Sequence, residues 1–251
     1  MDKLTVILRT CDKVEKFSSP EPHKPRPFGS KLNIIKQCFS SIISSIGYCL
    51  DRGIDVSLYV VDDHSSQPIK DFINLQVENF DIKNFKFIEL EDTGNGASLK
   101  KCYEIGRDEC EGAIFFIEDD YLFEISGIYE CFMAQKDFSN KNNQPVVIHP
   151  VDYIDRYIQP YPCYVALGMD RHWRSIRHTT GTFLITREIL VDQWPLYMAF
   201  TNIGRPGISE DTTINKVYDK YLCLSPIPTL AEHFQEDFTL TAYCSLKKKN
   251  A

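Results

Sequence analysis

GAIFFIEDDY, residues 112–121, sets five apolar residues against three acids, and the rest of the chain is read outward from it. An apolar run this short, bounded by Gly112 and a polar turn, reads as a strand buried on both faces. The acids Glu118, Asp119 and Asp120 that end it are costly to bury unless something neutralises them. DVSLYVVDD (55–63) has the same form and ends in Asp62 and Asp63. LTVIL (4–8) and KFIEL (86–90) are two more short apolar strands.

Helical segments separate these strands. KLNIIKQCFSSIISSIGYCL (31–50) places Ile34, Ile35, Cys38, Phe39, Ile42, Ile43, Ile46 and Cys49 at three- and four-residue steps, an amphipathic helix with a core-facing stripe. SSQPIKDFINL (65–75) opens like a helix with Pro68 near its first turn. ASLKKCYEIGRDECE (97–111) and ISGIYECFMAQKDF (125–138) complete the set, and PVVIHP (145–150) reads as one more strand. Alternating strands and helices predict an α/β fold: a Rossmann-type, mostly parallel sheet with helices on both faces, in a single domain. Such sheets bind ligands beyond the carboxyl ends of their strands. That directs attention to Arg9–Asp12, Asp62–Ser66 and Glu118–Tyr121.

The texture changes after residue 150. Residues 151–177 mix Tyr153, Tyr157, Tyr161, Tyr164 and Trp173 with Arg156, Arg171, Arg174 and Arg177, without a clear period. Arg171, Arg174 and Arg177 would make one basic stripe if helical. GTFLITREIL (181–190) reads as a strand running into a short helix, and EDTTINKVYDKY (210–221) as a helix with acids in its first turn. The stretch 18–28 carries four prolines and is neither helix nor central strand. KKK (247–249) reads as a solvated tail.

Composition limits the classes. The 251 residues hold 28 Lys+Arg and 35 Asp+Glu, a formal charge of −7, with 43% hydrophobic residues, enough for a sizeable core. The acidic balance disfavours non-specific DNA binding. No apolar run of about 18 residues suggests a membrane helix. The N-terminus lacks the pattern of a signal peptide, so a cytoplasmic location is expected. Nine cysteines, an odd number with no CxxC pair, predict reduced, mostly buried thiols rather than a disulfide framework or zinc site.

Four clusters can carry chemistry. VVDDHSS (60–66) suits hydrogen bonds to a base and a ribose, or else a turn and helix cap. FFIEDDY (115–121) suits a divalent cation, since hard oxygen ligands favour Mg²⁺ or Mn²⁺, or else a solvated turn. Strand geometry would put Glu118 and Asp120 on one face and Asp119 on the other. In GISEDTTIN (207–215), Glu210 and Asp211 are caps or general-base carboxylates. His233, in LAEHFQED (230–237), is structural unless it lies beside Asp120, where it would be a metal ligand.

The order of these pieces resembles inverting glycosyltransferase family 2, which has the GT-A fold. The matching motifs are Val6–Thr10, VVDDxS (60–65), GNGA (94–97), the DxD-like EDD (118–120), GTFLITR (181–187), ED (210–211) and the late His233. The resemblance covers roughly 3–235. It implies a nucleotide-diphosphate sugar donor, UDP-linked by preference, and an acceptor hydroxyl on a glycan, a lipid-linked glycan or a modified nucleic acid. On the donor side it implies Arg9 and Thr10 at the nucleotide, Asp63 on a pyrimidine base, Asp62 near the ribose, Lys100 or Lys101 as a basic neighbour, and Asp119 towards the sugar or ribose. Asp120, with His233, would hold Mn²⁺ or Mg²⁺; Asp211 would be the general base, with Glu210 beside it. Residues 1–150 would be the nucleotide-sugar half and 151–251 the acceptor and catalytic half of one domain. The sequence departs from the family at Glu118, where Asp is usual, and RHWRS (171–175) is not the QxxRW motif of processive synthases.

Two other classes compete. A nucleotidyltransferase would show a Gly-rich, basic phosphate loop after the first strand, where this chain has RTCDK (9–13) and the prolines. A non-catalytic nucleotide-sugar module would have no use for both Asp120 and Asp211.

Overall fold

The computed structural model describes residues 2–13 and 30–234; the proline stretch 18–28 and the lysines 247–249 lie outside the described residues. The first half alternates as its periodicities require. β1 (Lys3–Thr10), α1 (Lys31–Leu50), β2 (Asp55–Asp62), α2 (Gln67–Asn79), β3 (Asn84–Glu89), α3 (Asn95–Asp108) and β4 (Ala113–Glu118) follow one another. After them come β5 (Tyr121–Phe123), α4 (Gly127–Asn142), β6 (Val147–Ile148), α5 (Asp155–Ile158), β7 (Val165–Leu167), β8 (His172–Ile176), β9 (Phe183–Thr186), α6 (Arg187–Asp192), α7 (Trp194–Phe200), β10 (Cys223–Ile227) and β11 (Ala231–His233).

Nine strands form one sheet in the order β3-β2-β1-β4-β9-β6-β10-β8-β7, and β11 pairs with β5 in a separate two-stranded ladder. Of the nine, β9 and β8 run against β1, so the sheet is mostly parallel. Central strands meet apolar layers on both faces. Leu4, Val6 and Leu8 of β1 face a cluster built with α1, α2 and α4, while Ile7 faces a second cluster built with α3, α6 and α7. All eight stripe residues of α1, from Ile34 to Cys49, are buried. Burying a residue of that size contributes about 1.5–3 kcal/mol, so packing rather than intrinsic propensity holds this helix.

The second half corrects several expectations. Residues 210–221 are not an α-helix: a 3₁₀ run covers Ile214–Asp219, and Glu210 and Asp211 lie in the turn ahead of it. Hydroxyl groups explain the change. Thr213 Oγ1 donates to Ser209 O at 2.5 Å and Thr212 Oγ1 to Gly207 O at 3.1 Å, offering the backbone an alternative to helical bonding. Arg171, Arg174 and Arg177 do not form a helical stripe either, because β8 runs through them. Arg174 is buried with Nε 3.6 Å from Asp152, and Arg171 is bonded to Glu130 at 2.7 Å.

Candidate functional site

Register brings the acids together. Thr10 pairs with Asp62 across β1 and β2, and Arg9 pairs with Glu118 across β1 and β4, so all four stand at the carboxyl ends of parallel strands. Arg9 is therefore placed to ion-pair with Glu118, and it also bonds Asn95 in the first turn of α3. Gly181 makes room for this pair, since a Cβ there would come 2.6–2.8 Å from the Glu118 carboxyl atoms.

β4 stops at Glu118, so Asp119 and Asp120 enter a turn and strand alternation does not separate them. Lys31, the first residue of α1, ion-pairs with Asp119 and stands 3.9 Å from Asp120 Oδ2. The other Asp119 oxygen accepts from Cys11 N at 2.8 Å and Thr10 Oγ1 at 3.2 Å. Both acids are at least nine-tenths buried. Burial raises the pKa of Asp119, with the neighbouring Asp120 charge adding to it against Lys31. Burial also works against the Asp120 charge, but His233, Lys31 and Arg9 outweigh it and hold Asp120 below the usual carboxylate range.

The β11–β5 ladder delivers His233. Its register sets His233 opposite Tyr121, the rings stack at 4.2 Å, and Phe234 N donates to Asp120 O at 2.7 Å. His233 Nε2 then lies 3.5 Å from Asp120 Oδ1, and neither atom has a hydrogen-bond partner. Tyr153 OH bonds His233 Nδ1 at 2.9 Å, which orients the ring. Among the described residues no three His, Cys, Asp or Glu side chains gather as a metal-holding group. The Asp120–His233 pair nevertheless fits a partial one: two buried, unpartnered donor atoms of suitable chemistry face each other.

The remaining candidates are more dispersed. Asp63 accepts from Gly94 N at 2.8 Å and neighbours His64 at 3.1 Å. Gly94 adopts φ +102, which only glycine takes without strain, and this turns its N–H towards Asp63. Asp62 has no exposed surface and accepts Ser65 N through both oxygens, at 3.1 and 3.3 Å, the arrangement of a turn cap. Lys100 is exposed and sits 3.9 Å from Glu104, one turn along its own helix. Asp211 is exposed; Asn215 Nδ2 donates to it at 2.8 Å and His178 Nδ1 lies 3.3 Å away. The Asn215 bond, with help from His178, lowers the Asp211 pKa. The segment from His178 to Thr182 ties this pair to the acids: Thr180 Oγ1 bonds Tyr121 OH at 2.5 Å, and Thr182 Oγ1 accepts Glu118 N at 3.0 Å. Glu210 is half-buried, and its carbonyl accepts Thr213 N and Asn215 N.

Sequence reasoning missed Lys31, His178 and Gly181. Lys31 stands twenty-one residues beyond Thr10, the end of β1, and no spacing rule places it there.

No protein-family model matches the chain, and no curated protein matches it in sequence. Solved structures do. GalNAc-T7, solved with UDP, GalNAc and Mn²⁺, superimposes at a TM-score of 0.55 and 11% identity, covering 92% of this chain and 43% of that one. The chain has a GT-A fold. A mannosyltransferase from Pyrobaculum calidifontis, solved with GDP-Man and Mn²⁺, matches this GT-A chain at a TM-score of 0.48 and 14% identity, over 90% of this chain and 54% of that one. A UDP-glucose pyrophosphorylase complexed with UDP-glucose matches at 0.48 and 11%, over 92% of each chain. The chain thus spans about half the length of the two transferases.

Proposed function

We propose that this GT-A chain is an inverting glycosyltransferase that moves a sugar from a nucleotide diphosphate, UDP by preference, to an acceptor hydroxyl. The observation that carries the reading is the buried pair Asp120 Oδ1 and His233 Nε2, 3.5 Å apart and unpartnered, at the carboxyl end of the parallel strands. In this reading Asp120 and His233 would hold Mn²⁺ or Mg²⁺, which when bound stabilises negative charge on a leaving diphosphate.

The chain's own residues have the following parts. Asp63, held by Gly94, would accept the N3–H of a pyrimidine. Asp62 acts through the turn it caps, and Thr10 through Asp119. Arg9 and Lys31 are the basic groups at the acids, and the exposed Lys100 would be a basic neighbour of the nucleotide. Asp211 would take the acceptor proton as the hydroxyl attacks the anomeric carbon from the face opposite the diphosphate. Its lowered pKa keeps it ionised but makes it the weaker proton acceptor until the acceptor hydroxyl displaces the Asn215 bond. Glu210 shares its turn. Residues 1–150 would serve the donor and 151–251 the acceptor. The dispersal of Arg171 and Arg174 into ion pairs favours a glycan acceptor over a nucleic acid. A cytoplasmic site of action belongs to the same proposal: the eight cysteines among the described residues are free thiols, and no helix there is long and apolar enough to cross a membrane.

Calorimetry with UDP and UDP-sugars, with and without Mn²⁺, tests the donor side. Metal-dependent binding in the wild type and its loss in Asp120→Ala are expected. Asp211→Asn, measured alongside, should keep donor binding while transfer falls about 10²-fold or more. A chain that binds no nucleotide with any metal, or an Asp211→Asn variant that transfers normally, would overturn the corresponding assignment.

A further inference from the structure

The Asp119–Asp120 turn already contains a cation. Lys31 pairs with Asp119 and lies 3.9 Å from Asp120 Oδ2, and all three side chains are at least 85% buried. The carboxylate oxygens are nearly all engaged. Asp119 gives one oxygen to Lys31 and the other to Cys11 N and Thr10 Oγ1. Asp120 Oδ2 lies 3.9 Å from Lys31, an ion-pair distance, and Oδ1, facing His233, has no hydrogen-bond partner. A divalent ion at Asp120 and His233 would therefore stand within a few ångströms of a buried ammonium. Lys31 offsets part of the negative charge that the two carboxylates would offer the ion. Like charges repel strongly where water is excluded.

We infer that Lys31 is a built-in counter-ion that keeps divalent cations out of this turn until a diphosphate brings enough negative charge for both. The inference rests on the reading of Asp120 and His233 as cation ligands. In the nucleotide-free protein Lys31 balances the acids and Mn²⁺ binds weakly. When a nucleoside diphosphate arrives, its phosphates meet the ammonium and the ion together, so cation and nucleotide bind cooperatively. Lys31 is in this sense a positioning residue: it sets the order of binding and takes no proton.

The experiment is Mn²⁺ titration of the nucleotide-free full chain, read by the electron-spin-resonance signal of free Mn²⁺. Lys31→Met should bind Mn²⁺ at least about tenfold more tightly than wild type. Lys31→Arg, which keeps the charge, should bind as weakly as wild type. Adding Asp120→Ala to Lys31→Met should abolish the gain, and adding UDP should narrow the gap between wild type and Lys31→Met. The inference fails if a Lys31→Met variant that melts like wild type binds Mn²⁺ no more tightly, or if the gain survives Asp120→Ala. If Lys31→Met does not fold, Lys31→Gln is read against the same outcomes. Failure here is distinct from failure of the donor-site reading. If UDP still binds with Mn²⁺ in the wild type and Asp120→Ala loses it, only the role of Lys31 falls.

Discussion

His149 shows how this fold treats a polar side chain it cannot hydrate. It has no exposed surface; Nδ1 bonds the Thr182 carbonyl at 2.8 Å, so that nitrogen carries the proton, and Nε2 has no partner. Burial, with nearby Arg156 adding to it, pushes its pKa down to about 3 from 6.5. Between those values the unfolded chain binds a proton there and the native chain does not. Stability contributed by His149 is therefore present above pH 6.5 and declines as pH falls towards 3, by up to about 1.4 kcal/mol per pH unit. His149→Asn, which keeps a donor near Thr182 without a titrating ring, should remove about 2 kcal/mol of the stability loss between pH 7 and pH 5. Urea unfolding at the two pH values measures it, and identical slopes for variant and wild type would refute the assignment. The acids at the strand ends were legible as residues because three carboxylates after five apolar residues demand neutralisation. Their neutralisers were less so: Arg9 follows from strand register, whereas Lys31 comes from 88 residues away, and His233, 113 residues away, was set beside Asp120 only by the resemblance.

At the scale of elements, helix α1 carries more than its apolar stripe. Ser45 is fully buried in that stripe, and its Oγ accepts Ile128 N at 2.9 Å, while Ser41 Oγ accepts Phe123 N at 2.9 Å. The first turn of α4 has no side-chain cap of its own from Ser126, so Ser45 caps it from another helix. Ser45→Ala leaves the Ile128 N–H buried and unpaired and should cost about 1–3 kcal/mol. Ser44→Ala, whose hydroxyl only returns to Ser40 O, should change stability by less than about 0.5 kcal/mol. Equal effects in urea unfolding would show that Ser45 caps nothing. A sequence pattern displays such a stripe because apolar spacing repeats over 20 residues. It does not display the partner of one serine. The three-residue strands β5, β7 and β11 are too short to show a period, and their place comes from pairing alone. The 3₁₀ run at Ile214–Asp219 escaped for a related reason: hydroxyl bonds over a few residues overrule a helical pattern.

Across the whole molecule, the division at residue 150 separates two textures of sequence and no folding unit. β4 from the first half pairs with β9 from the second, with Phe116 opposite Phe183, and β6 has only β9 and β10 as neighbours. One apolar cluster mixes Ile7, Tyr59, Val61, Tyr103 and Phe116 with Phe183, Leu190, Tyr197, Val217 and Tyr218. Removing residues 151–251 would uncover that face of β1, β2 and β4, turn β4 into an open apolar edge, and leave β6 unpaired. His233 would go too, so Asp120 Oδ1 would lose the ring nitrogen that faces it at 3.5 Å. The alternation of strands and helices made the sheet legible, yet it says nothing about where cooperativity ends, because β9, β6 and β10 interleave strands distant in sequence. The whole chain should therefore melt in one transition, superimposable in far- and near-ultraviolet circular dichroism. A fragment of residues 1–150 should show no cooperative melt and should associate at micromolar concentration. A fragment that melted cooperatively by itself would make the donor half an independent domain, and the interleaved strands would then be a docking of two units rather than one core.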